Sequence, residues 1–274
     1  MSDASRPPGP GPDLAWGTTW PSRAEFTELA PDRRVIPVVR RLLVDDVTPV
    51  GLYRTLAQER PGTFVLESAQ SDGTWSRYSF IGVRSRATLT VADGVAIWLG
   101  DVPAGVPTSG DPLAVLEETL EVLRTPAVPG LPPFTGGLVG ALGWDVVRRW
   151  EPTLPATAPD ELGVPELTLG LASDVAVIDH ATSSVWLVAN AINYDGSPDR
   201  AEEAHADAVA RLDVMQHQLV AGRGAGASDV TVMLGDVAEP ELEFRTTRAG
   251  YEAAVEAGKE AIRDGEVFQV VLSQ

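Results

Sequence analysis

Over residues 86–92 the apolar side chains Ala87, Leu89 and Val91 alternate with the polar Arg86, Thr88 and Thr90, the period of two expected of a β-strand. Asp93-Gly94 follows, a pair that favours the tightest hairpin turn, and Val95, Ile97 and Leu99 resume the alternation. The pattern therefore predicts antiparallel β-structure. Apolar runs over 35–44, at Phe64-Val65-Leu66 and over 75–83 read as further strands, the last two joined by a turn at Asp72-Gly73. Residues 175–179 and 185–189 suggest a second hairpin across a polar turn. The glycine-rich run 136–143 (GGLVGALG) reads as a strand whose glycines let another backbone pack close.

Helical spacing appears between these segments. A short helix is expected around 21–30. Thr48-Pro49 starts another: the Thr hydroxyl can accept from the free N–H groups of a first turn, Pro fits that turn, and Leu52, Tyr53 and Leu56 follow on one side. Asp111-Pro112 opens a helix in which Leu113, Leu116, Leu120 and Leu123 form one apolar stripe. After a Pro-rich loop over 126–133 and the second hairpin, Ser197-Pro198 precedes a long helix carrying Ala208, Leu212, Met215 and Leu219. Residues 221–228 (AGRGAGAS) have linker composition, and 230–234 suggest a short strand. A last helix is expected over 247–263, stopped by Asp264-Gly265.

The run over 267–274 carries Phe268, Val270, Val271 and Leu272, the composition of a central strand buried on both faces, which needs a neighbour on each edge. The sequence is therefore expected to be a piece cut inside its second domain. The organisation this predicts is a disordered Pro/Gly-rich tail at 1–20, a first domain at 21–222, a linker at 223–240, and the opening of a second, incomplete domain at 241–274.

Composition narrows the function classes. With 44% hydrophobic and 22% charged residues in 274, the chain belongs with folded globular proteins. Its 39 acidic against 21 basic residues leave a net charge of −18, which argues against a nucleic-acid partner, because phosphate binding rests on clustered Lys and Arg. All the basic residues but Lys259 are Arg, so lysine chemistry has one candidate. The absence of cysteine excludes a disulfide framework, a thiolate nucleophile and Cys-ligated zinc. No apolar stretch has the length of a membrane span, and the first residues lack the pattern of a secretory signal, so a cytoplasmic protein without a membrane partner is expected.

Candidate chemistry is sparse. His180, His205 and His217 have no metal-ligand spacing, and the glycines of 136–143 are not followed by the Lys-Ser or Lys-Thr of a phosphate loop. The acidic pairs Asp45-Asp46, Glu117-Glu118 and Glu202-Glu203 read most simply as solvated charges. No nucleophile signature is present. Two stretches stand out. Leu66-Glu67-Ser68 puts a carboxylate and a hydroxyl at the end of an apolar strand, where they could face an ammonium group or simply be an exposed strand end. Arg77 stands just before a buried-looking strand.

At these residues the chain resembles a known family. The segments TPVGLYRTLA, TFVLESAQSDGTWSRYSFIG, GGLVGALGWDVVRRWE and TRAGYEAAVEAGKEAIRDGEVFQVVLSQ resemble, in order and at matching separations, the N-terminal half of anthranilate synthase component I, over residues 20–274. Aminodeoxychorismate synthase component I shares much of this layout. Isochorismate and salicylate synthases usually lack an LES-type segment.

The resemblance implies an α+β fold, with antiparallel β-sheets in a two-layer sandwich with outer helices, truncated in the second domain. It implies a lyase of tryptophan biosynthesis that converts chorismate and ammonia to anthranilate and pyruvate with Mg²⁺, a glutamine amidotransferase (component II) supplying the ammonia, and L-tryptophan as feedback inhibitor. It assigns Ser68, Glu67 and Leu66, with Arg77 nearby, to the tryptophan site. The catalytic residues and the Mg²⁺ ligands are expected beyond Gln274, Lys259 and Gln269 being weak candidates, so the piece itself is expected to be inactive. An amino-acid-binding or subunit-docking module without catalysis stays open as a different class of reading.

Overall fold

The computed structural model describes residues 14–58, 60–68, 76–155, 159–193, 200–222 and 243–273. The chain divides into two compact units, Met1–Ser228 and Asp229–Gln274. The turn at Asp72-Gly73, the cap at Ser197-Pro198, the linker over 223–240 and the strand over 230–234 lie outside the described residues.

The first unit is built on an eight-stranded antiparallel sheet. Its strands are β1 (Thr19–Trp20), β2 (Val35–Leu43), β3 (Phe64–Leu66), β4 (Tyr78–Ala92), β5 (Val95–Gly100), β6 (Gly137–Leu142), β7 (Leu167–Asp179) and β8 (Ser184–Ile192). The helices are α1 (Arg23–Leu29), α2 (Pro49–Ala57), α3 (Pro112–Val122), α4 (Ala201–Gly222) and, in the second unit, α5 (Arg248–Arg263). The long strands β4 and β7 are the spine, paired from Tyr78 opposite Asp179 to Thr90 opposite Thr168. Register slips between Gly82 and Ala87 mark the place where partners change. There β3 gives way to β5 beside β4, and β8 gives way to β6 beside β7.

Several expectations hold, and each has a local cause. Ser22 and Glu25 cap α1 reciprocally, the Thr48 hydroxyl accepts from the Gly51 N–H at the start of α2, and Asp93 and Gly94 adopt the positive φ angles of a two-residue turn. Gly140 is needed for close packing, since a Cβ there would stand 1.9 Å from the Thr168 carbonyl oxygen.

Other expectations are corrected. Residues 75–83 and 86–92, read as two strands, meet in the single strand β4; Arg84 and Ser85 fall in its irregular stretch, where the Ser85 hydroxyl donates to the carbonyls of Ala87 and Leu171. In β5 the hairpin register sets Ala96 and Trp98 beside Val91 and Leu89 on the packed side and leaves Leu99 57% exposed. On α3 the inward residues are Pro112, Val115 and Thr119, and Leu120 is exposed. Thr19 and Trp20, counted with the tail, pair with β2. Among the described residues the strands form one sheet rather than two stacked sheets.

The core lies between one face of the sheet and helices α1, α2 and α4. Ile36, Val38, Ile81, Val83, Ile178 and Leu187 meet Leu52 and Leu56 of α2 and Leu212 and Met215 of α4 there. Burying a residue such as Leu212 contributes about 1.5–3 kcal/mol. Ionic contacts pin α4 as well: Arg211 binds Asp174 of β7 and donates to the Asn190 carbonyl at 2.8 Å, and Arg40 of β2 reaches Asp213 at 2.9 Å and Gln216 at 2.7 Å.

In the second unit, the Thr247 hydroxyl caps α5 and Gly265, at φ 76°, ends it. The expected central strand over 267–274 is not formed among the described residues. Phe268 and Val271 are 94% and 82% exposed; a strand is made by its ladder partners, and the described residues of this unit contain no other strand.

Candidate functional site at the edge of β3

The face of the sheet turned away from α4 is aromatic. Phe64 of β3 lies over Gly82, where a Cβ would come within 2.2 Å of its ring. Opposite Leu66 stands Phe80, then Val177 and Trp186 across β7 and β8. Phe134, from the loop before β6, meets Phe80 edge-on at 5.6 Å and Phe64 at 6.4 Å, and Tyr78 lies 6.1 Å from Phe80.

The structure places all four residues assigned from the sequence at one end of the β3–β4 pair. Leu66 ends β3 and is 46% exposed; Glu67, exposed, and Ser68, half-buried, follow directly, while Arg77 immediately precedes β4. Alternation along an extended chain puts Leu66 on the face of Phe64 and Phe80. Arg77 is already committed: it donates to both carboxylate oxygens of buried Asp179, at 3.0 and 2.9 Å, and its guanidinium lies 4.8 Å from the centre of the Tyr78 ring.

This pairing sets the electrostatics of the edge. Burial raises the Asp179 carboxyl, but hydrogen bonds from Arg77 and Thr182, the Arg77 charge and the Ala181 N–H together hold it below its ordinary value. Burial, then the Asp179 charge, pushes the Tyr78 phenol up, so it stays a neutral donor. The edge thus carries a carboxylate at Glu67, hydroxyls at Ser68 and Tyr78, and an apolar aromatic wall.

The sequence alone did not single out Phe134, Phe80 or Asp179. Their available signals were an aromatic before a glycine pair, an aromatic alternating with Tyr78, and an acid closing an apolar strand. The weaker candidates gather no such setting. Lys259 pairs with Glu256 at 2.7 Å on α5, and Gln269 is exposed. His180 is hydrogen-bonded to Ser79, His205 donates to the Pro21 carbonyl, and His217 is exposed. Among the described residues no group of three or more His, Asp or Glu side chains could hold a metal ion, so the Mg²⁺ implied by the resemblance has no fitting site in them. No helix among them is long and apolar enough to cross a membrane.

Comparison with known proteins gives this geometry its context. A family model described as chorismate binding enzyme matches residues 62–274. The anthranilate synthase component 1 of Arthrobacter globiformis is 51% identical over 265 residues, covering 94% of this chain and 48% of that protein. The protein of the same name from Mycobacterium tuberculosis is 47% identical, covering 96% of this chain and 50% of its own length. The chain thus spans about half the length of the curated relatives it matches. The crystal structure of anthranilate synthase component I from Streptococcus pneumoniae aligns with a TM-score of 0.45 at 19% identity, over 81% of this chain and 45% of that one.

Proposed function

The chain belongs to the chorismate binding enzyme family, and from that premise we infer that the whole protein is the chorismate-using lyase anthranilate synthase component I. Ammonia bonds to the chorismate ring, the ring hydroxyl leaves as water, and the enolpyruvyl group leaves as pyruvate to give anthranilate. The names of the 51% and 47% identical relatives favour this product over the para isomer made by aminodeoxychorismate synthase. A glutamine amidotransferase component supplies the ammonia, and the reaction takes place in the cytoplasm; Mg²⁺ would be held by residues outside those the structure describes.

Within that enzyme these 274 residues act as the tryptophan-sensing half and do not turn over chorismate by themselves. Tryptophan docks at the edge of β3. Its ammonium group meets the Glu67 carboxylate and the Ser68 hydroxyl, and its indole lies against Leu66 and the aromatic wall. Arg77 acts indirectly, holding Asp179 and Tyr78 in place. The supporting observation is that Leu66-Glu67-Ser68 leaves the outermost strand beside Phe80, placing a carboxylate, a hydroxyl and an apolar wall on one edge. A ligand there inhibits by favouring one of two arrangements of the whole protein.

Anthranilate fluorescence tests this directly. In the whole protein with chorismate, ammonium salt and Mg²⁺, Ser68→Ala is expected to raise the tryptophan concentration for half-inhibition by about tenfold, one lost hydrogen bond to a charged group, with the uninhibited rate preserved. Unchanged inhibition would remove Ser68 from the site. Anthranilate production by the 274 residues alone would overturn their assignment as a non-catalytic half.

A further inference from the structure

A cavity of about 320 Å³ lies on the aromatic side of the sheet, where β2 and β8 pair at Val35 and Ile192. Pro37, Leu171 and Asn190 belong to its floor, and the loop between α3 and β6 closes it with Leu131 and Phe134. None of the residues lining it is Asp, Glu, Lys, Arg or His.

The one amide side chain in the lining is unusually placed. Asn190 is 3% exposed, and its Nδ2 donates to the carbonyls of Thr135 at 2.8 Å, Ser173 at 3.3 Å and Ala172 at 3.4 Å. Three carbonyl acceptors fix which end of the amide is nitrogen, since an oxygen there would have nothing to accept. Gly136 makes the arrangement possible, as a Cβ at that position would stand 2.3 Å from Nδ2. Among the described residues no hydrogen bond reaches Oδ1, which is the acceptor that Asn190 has left for the cavity it lines.

We propose that this cavity is a binding site for an uncharged, flat, largely apolar molecule bearing one N–H or O–H group, which donates to Asn190 Oδ1. The lining excludes charge, because a carboxylate or ammonium would be buried without a counter-charge. This separates the site from the β3 edge, whose Glu67 suits a charged amino acid, and from any site for a dicarboxylate substrate. Asn190 Oδ1 is an acceptor, so the ligand group complementary to it is a donor. The volume lies at the small end of ligand pockets, which suits one or two fused rings.

The test is an NMR titration of the isotope-labelled chain with indole and with benzofuran, near-isosteres that differ by replacement of N–H with O. Indole is expected to shift the Asn190 side-chain amide and the backbone of Gly136 and Gly137, and to bind about tenfold more tightly than benzofuran. Asn190→Ala is expected to bring indole down to the benzofuran affinity; should that variant not fold, the two ligands on the unaltered chain decide the matter. Equal affinities would overturn the proposal. So would shifts centred on Ser68 and Tyr78 in place of the cavity, or no saturable shift up to the solubility limit of indole.

Discussion

Beneath α1, α2 and α4 the sheet presents an aliphatic surface of Ile36, Val38, Ile81, Val83, Ile178 and Leu187, sealed by helices and pinned by Arg40 and Arg211. Its other face carries Trp20, Phe64, Tyr78, Phe80 and Trp186, many only partly buried, with Leu131 and Phe134 from the loop before β6 packed on it. The same strands supply both, since successive side chains point to opposite sides. The difference separates two tasks. The helical side is sealed into the larger buried cluster, whereas the aromatic side keeps partly exposed surface and a cavity.

The sharpest way to break this comparison is on the helical side. Arg211→Met leaves the Asp174 carboxylate buried with its ion-pair partner gone, and should cost about 3–5 kcal/mol in urea unfolding. Burial already pushes the Asp174 carboxyl above its ordinary range despite the pull of Arg211. A loss below about 1 kcal/mol would mean that α4 is not held by this pair. Next comes a matched pair of truncations. Leu212→Ala on α4 should cost about 3 kcal/mol and Phe80→Ala on the aromatic face less, because Phe80 is only partly enclosed. An equal or reversed order would erase the distinction between the faces.

A smaller effect is expected at the β3 edge. Arg77→Met should cost about 1–2 kcal/mol at neutral pH, moderated by the half-exposure of the arginine. Because the folded protein holds Asp179 below its ordinary value, this contribution is present above that value and disappears as pH falls through the lowered one. Unfolding curves of the two proteins should therefore converge in acid, and a constant difference down to low pH would contradict the pairing. Smallest of all, Leu99→Thr in β5 should change stability by no more than about 0.5 kcal/mol, since that side chain faces outward. A large loss would restore the inward alternation.

That last residue shows how far the sequence could be read. Period and turn chemistry agree at Asp93-Gly94, at Thr48-Pro49 and along Ala208, Leu212, Met215 and Leu219, and there the elements form as expected. Alternation alone could not say which side of β5 faces inward, because apolar residues stand at both parities and pairing with β4 decides between them. The stripe on α3 shifted for a similar reason: packing chose Val115 and Thr119 over Leu120. At the candidate site, Leu66, Glu67, Ser68 and Arg77 were singled out through the family resemblance, and their nearness to one another follows from the short distance between them along the chain. Asp179, Phe134 and Asn190 were not, since their roles arise from contacts between segments distant in sequence.

The distribution of two residue types between the units has a practical consequence. All seven tryptophans, from Trp16 to Trp186, belong to the first unit, while the only lysine, Lys259, is a half-exposed residue on α5 of the second. A fluorophore attached at Lys259 would therefore lie in one unit and the natural donors in the other. The chain carries the elements of its own optical ruler, and energy transfer across it would report how the separation of the two units responds when a ligand is added.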